Sequence, residues 1–191
     1  MSEPREVLDF WFGREGEAGY GEYRQAWFTK DADFDREVRD RFEGVYEEAA
    51  AGRLEGWKDE AQSCLALIIT LDQFPRNMFR GDPKTHATDA DALAAARHAV
   101  EHAYDRELPS FQRLFLYMPF MHSEDLEDQR FSVELFRGLS AETGSEDLLG
   151  YAMRHMEIVE RFGRFPHRNQ ILGRETTLEE AEFLKGPDSS F

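Results

Sequence analysis

A chain of 191 residues with sixteen Phe, six Tyr and three Trp carries enough large apolar side chains for one well-buried core. Its formal net charge of −16 repels phosphate backbones and anionic lipid headgroups, which excludes broad nucleic-acid or membrane-surface binding; a small anion held by a local arginine cluster stays compatible with it. Cys64 is the only cysteine, so no intrachain disulfide forms, and its run Cys64-Leu-Ala-Leu-Ile-Ile-Thr-Leu71 suits a buried hydrophobe better than a reactive thiol.

At the N-terminus, Met1-Ser-Glu-Pro-Arg-Glu6 has no basic stretch leading into an apolar one, so no secretory signal is expected. Nowhere does the chain approach roughly 18 uninterrupted apolar residues, and a cytoplasmic protein without a membrane span is the expectation. Gly13 to Tyr23 is glycine-rich and should be the longest irregular region. Phe34, Val38, Phe42, Val45 and Ala49 recur at helical spacing, with Gly52 as the stop. Ala61 to Leu71 is apolar on almost every face, which predicts a central helix covered on all sides.

Ala92, Leu93, Ala96, Ala99, Val100 and Ala103 mark the next stripe, with Thr88 or Asp89 as its cap. Pro109 opens another helix, which Pro119 should interrupt. Ser123 is placed to cap the following helix and Ser145 the one after, which should run to about Phe162 and stop at Gly163. Thr177-Leu-Glu-Glu180 reads as a capping box and Gly186-Pro187 as a stop. No alternating β-branched stretch predicts a strand. The fold class is therefore all-α, a single domain over residues 1–191 with about eight or nine helices.

Two segments echo each other: Phe74-Pro75-Arg76-Asn77 and Phe165-Pro166-His167-Arg168-Asn169, both expected as helix-ending turns. Their phenylalanines lie 91 positions apart, which is not a multiple of the roughly 34-residue tetratricopeptide period. Residues 161–174 hold Arg161, Arg164, Arg168, Arg174 and His167 but no carboxylate. Arginine forks match carboxylate and phosphate geometry, so Arg76, Arg164 and Arg168 are candidate anion ligands, oriented by Asn77 and Asn169. The alternative is internal pairing that locks helix ends together. Asp72 shares a face with Leu65 and Ile68 and should be buried in an ion pair with Arg164 or Arg168.

His122, Glu124 and His167 are the candidate catalytic residues, a histidine as general base and Glu124 or Asp72 orienting it. His155 falls on an apolar face and reads as a core histidine. His98-Ala-Val-Glu-His102 fits the H-x-x-E-H pattern of zinc proteases, but its helix turns these side chains away from the apolar stripe towards water. No metal site and no cofactor is assigned, since no phosphate loop, dinucleotide fingerprint or nucleophile elbow occurs.

Three segments together carry a family resemblance: Leu71-Asp-Gln-Phe-Pro-Arg-Asn-Met-Phe-Arg-Gly81, Phe115-Leu-Tyr-Met-Pro-Phe-Met-His-Ser-Glu-Asp125 and Arg161-Phe-Gly-Arg-Phe-Pro-His-Arg-Asn-Gln-Ile-Leu-Gly-Arg174. With Val7-Leu-Asp-Phe-Trp-Phe12 they closely resemble the bacterial domain of unknown function 924, over Val7 to Leu184. The resemblance implies a tetratricopeptide-like helical array and no established activity. The leading expectation is binding of a small anionic ligand, carboxylate or phosphate, in an Arg/His-lined pocket tuned by His122 and His167. The alternatives are a hydrolase using His122 or His167, with or without a metal, and a helical adaptor for a protein segment. Oligomeric state is not set by the sequence, although aromatics near Trp11 or Trp27 would suit an interface.

Overall fold

Apolar side chains at three- and four-residue spacing drive helix formation from one end of the chain to the other. In the computed structural model, residues 3–187 and Ser189 are described; Met1 and Ser2, part of the N-terminal reading, lie outside them. The described residues form eight α-helices and no strand. They are α1 (Pro4–Phe12), α2 (Ala32–Ala50), α3 (Ala61–Met78), α4 (Asp89–Glu101), α5 (Ser110–His122), α6 (Leu126–Thr143), α7 (Glu146–Phe162) and α8 (Leu178–Phe183). None of these helices is long and apolar enough to cross a membrane. The chain divides into two units: one is residues Met1–Arg80 with Lys84–Pro119, the other Gly81–Pro83 with Phe120–Phe191.

In the first unit α3 is the hub, packed against α1, α2 and α4. Cys64, Leu65, Ala66, Ile68, Ile69 and Phe74 are all fully buried, as the run of apolar residues predicts. Phe10, Trp11 and Phe42 surround the Phe74 ring, with centroids 6.5, 5.8 and 4.8 Å away. Trp11 and Trp27 are buried, the Trp27 indole donating to the Trp11 carbonyl at 3.1 Å. The exposed aromatics nearby are Tyr23 and Phe28, stacked on each other at 5.8 Å. The irregular Gly13 to Tyr23 region is tied down at Gly21, whose N–H donates to the Phe12 carbonyl. Gly21 has φ +68, and a Cβ there would sit 2.7 Å from the Phe111 ring, so both conformation and space require glycine.

Pro75 does not end α3, which continues through Phe74-Pro-Arg-Asn77 to Met78. A proline has no N–H for the carbonyl four residues back, which here is Leu71. The Thr88 hydroxyl replaces it, donating to the Leu71 carbonyl at 2.6 Å from a buried position. That bond explains why Thr88, although at the N-cap of α4, makes no side-chain cap. Thr88→Val keeps the shape and leaves a buried acceptor without its donor. A loss of about 2 kcal/mol in urea unfolding is expected. Pro119 likewise lies inside α5, which runs unbroken to His122. Phe115, Leu116 and Phe120 around it are fully buried, and burial outweighs the lost backbone bond.

In the second unit α6 and α7 form the main pair, and Phe162, Phe165 and Phe183 pack with Ile158 and Val159. Asp125, not Ser123, is the N-cap of α6, accepting from the N–H groups of Glu127 and Asp128. Ser123 instead donates to Asp128 and accepts from the Asp125 N–H. Gly163 ends α7 at φ +67, and the Thr177/Glu180 capping box opens α8, both as read from the sequence.

Candidate functional site

Each unit contains one of the two Phe-Pro segments, and they adopt different structures. The first is helical. The second follows α7 as a short 3-10 turn over Pro166–Arg168.

In the first unit Asp72 is fully buried. Its carboxylate lies 3.4 Å from the Arg76 guanidinium and accepts from the Gln73 amide at 2.6 Å. Arg76 also donates to Asp89 at 2.9 Å and to the Asp72 carbonyl at 2.5 Å. Asn77 and Arg80 both donate to Asp35 of α2. Asp89 in turn meets the His86 imidazole at 3.1 Å. His86 was no sequence candidate. The His-x-x-Asp spacing, which puts both groups at the entry to one helix, was the available signal.

In the second unit Arg161, Arg164 and Arg174 each meet a carboxylate. Arg164 places Nε and Nη2 on the two oxygens of Glu180 at 2.6 and 2.9 Å. Asn169 adds a bond to the same carboxylate at 3.2 Å, and the Thr177 N–H another at 2.7 Å. The Arg164 fork holds the Glu180 carboxyl at about 2 against the opposing effect of burial, helped by Thr177 and Asn169. Arg161 pairs with Glu179, and Arg174 forms a two-pronged pair with Glu124 at 2.7 and 3.0 Å. Glu124 also accepts from the Phe165 N–H at 2.7 Å. Burial pushes Glu124 up, but Arg174, that N–H and the nearby Arg168 more than offset it and leave its carboxyl below the usual range.

Around Phe165 the remaining candidates gather. The ring is fully buried; the Arg168 guanidinium carbon lies 4.5 Å above it, and the His155 and His167 rings are 5.5 and 5.7 Å away. Arg168 itself is only 7% exposed. His155 donates from Nδ1 to the Tyr151 carbonyl at 2.8 Å, which leaves Nε2 as the acceptor in the neutral ring. Burial pushes its pKa down to about 3; the Tyr151 bond opposes this, while His122, Arg168 and His167 add to it. His155 is thus the core histidine that its apolar face predicted, and it stays neutral. His122, at the end of α5, and His167 are half-buried and within electrostatic reach of His155. Among the described residues no group of three or more His, Cys, Asp or Glu is arranged to hold a metal ion.

This is an all-helical protein with an arginine- and histidine-rich cluster built on a buried phenylalanine. The chain belongs to the family described as bacterial protein of unknown function DUF924, whose model matches residues 7–188. It is similar to the solved structure of a protein of unknown function from Agrobacterium tumefaciens, with 41% identity and a TM-score of 0.84. That likeness covers 96% of this chain and 97% of the other. No functionally curated protein matches.

Proposed function

We propose that the protein binds a small carboxylate- or phosphate-bearing ligand in its second unit, with Arg168 as the anion fork and His122 and His167 beside it. One observation carries this reading: Arg168, His155 and His167 all meet the single buried ring of Phe165. A guanidinium with little solvent around it attracts an anion more strongly than a surface arginine does. His155, held neutral by burial, adds no charge of its own beside the guanidinium. Arg164, Arg174 and Asn169 belong to the frame in this reading, since Glu180 and Glu124 engage them. Arg76 and Asn77 are engaged by acidic residues in the first unit in the same way. The hydrolase alternative has less behind it, because Glu124 already holds Arg174 and the Phe165 N–H.

Calorimetric titration with phosphate, acetate and citrate tests the proposal. One of these should bind, and saturation at about 100 times Kd should stabilise the fold by about 2.7 kcal/mol. Arg168→Gln and, separately, the half-buried His167→Asn should each weaken binding at least tenfold while thermal unfolding stays cooperative. Absence of heat and of thermal stabilisation with all three anions would overturn the reading.

A further inference from the structure

The C-terminal turn of α4 carries two imidazoles that neither the frame nor the proposed site uses. His98 and His102 are four residues apart, so they share a helix face, and their ring centroids are 4.0 Å apart with planes 31° from parallel. His98 is half-buried and His102 exposed, whereas the sequence pattern turns both towards water. The difference lies in one bond: His98 Nε2 meets the Lys58 carbonyl at 3.0 Å. His102 Nδ1 meets the His98 carbonyl at 2.8 Å.

A carbonyl oxygen can only accept, so both of those nitrogens must carry hydrogen. In the neutral rings the lone pairs are then fixed on His98 Nδ1 and His102 Nε2. Donation from the other nitrogen to a backbone carbonyl is the arrangement that sets the tautomer of metal-bound histidines and raises their basicity. Two nitrogens at about 2.0–2.1 Å from one ion are about 3 Å apart, a separation that two imidazoles four apart on one helix face reach by rotating out of their face-to-face contact. The Tyr104 ring lies 5.9 and 5.7 Å from the two imidazoles.

We infer that His98 and His102 chelate one divalent transition-metal ion of the kind imidazole prefers, Cu2+ ahead of Zn2+. Water completes its shell. This is not a protease centre: two protein ligands leave the ion exchangeable, and Glu101 has no part in holding it. Bridging positions four apart ties down the last turn of α4, so the ion stabilises the helix end.

The test is titration of the full chain with CuCl2 in a weakly chelating buffer, and separately with ZnCl2, near pH 7.5. One equivalent of Cu2+ should bind, with Zn2+ weaker and Mg2+ producing no heat. His102→Ala, a change at an exposed side chain, should lower Cu2+ affinity at least tenfold, and His98→Ala should do the same. His86→Gln should leave it unchanged, which separates this site from ions taken up elsewhere. Cu2+ binding that persists in His102→Ala, or no Cu2+ binding by the unaltered chain, would overturn the inference.

Discussion

Replacing Glu180 by Ala should destabilise the protein by on the order of 3 kcal/mol, read as a lower midpoint in urea with little change in slope. This carboxylate is 2% exposed and receives four donors from three places: the Arg164 fork, the Asn169 amide and the Thr177 N–H. Removing it deletes the reciprocal half of the capping box and frees α8 from the loop after α7. It also leaves the side-chain amide of Asn169, fully buried, with only a long bond of 3.4 Å to Thr176. Arg164 is 28% exposed and can turn back to water, which keeps the cost at the lower end of what breaking a buried pair entails. The pH dependence has a definite sign. With its folded pKa held at about 2, Glu180 stabilises above its ordinary carboxylate range and loses that contribution as pH falls towards 2. A loss below about 0.5 kcal/mol for the alanine variant would mean that this pair behaves like an exposed one.

Local signals in the sequence were sufficient wherever a structure is decided locally. The Val38–Phe42–Val45–Ala49 stripe, the Gly163 stop and the Thr177/Glu180 box all depend on residues within a turn or two, and each forms as read. Pro75 and Pro119 were misread for the opposite reason. Proline weakens a helix by removing one bond, but the cost is set by what surrounds it. Thr88, thirteen residues beyond Pro75, restores the Leu71 partner, and no local pattern announces that. The arginine cluster follows the same rule. That Arg164, Arg168 and Arg174 lie together in sequence suggested one shared task, yet Glu180 engages the first and Glu124 the last. Glu124 lies 50 residues from Arg174, so only the folded chain shows which carboxylate meets that guanidinium. The carboxylate-free stretch from 161 to 174 was informative about charge balance. It did not say which guanidinium lies over Phe165.

His155 provides the largest pH effect expected in this protein. An ordinary histidine takes up a proton near pH 6.5, whereas in the folded chain burial holds His155 at about 3. Between those values the unfolded chain binds a proton that the folded chain does not, so stability rises with pH across the window. The slope is up to about 1.4 kcal/mol per pH unit, and the contribution is complete above about pH 6.5. His155→Gln retains a donor for the Tyr151 carbonyl and removes the titration, so its stability should be flatter between about pH 5 and 6.5. Glu124 and Glu180, both held below the usual carboxylate range, lose their stabilisation at lower pH and do not obscure that interval. The difference between the two proteins isolates His155 from His122 and His167, which both retain. It also bears on binding. A neutral imidazole beside Arg168 adds no charge next to the guanidinium over Phe165, whereas a protonated one would add repulsion. Urea titrations at several pH values therefore test the surroundings of Arg168 as well as the core. Parallel slopes for the two proteins would mean that His155 accepts its proton without unfolding, and the neutral imidazole beside Arg168 would have to be given up.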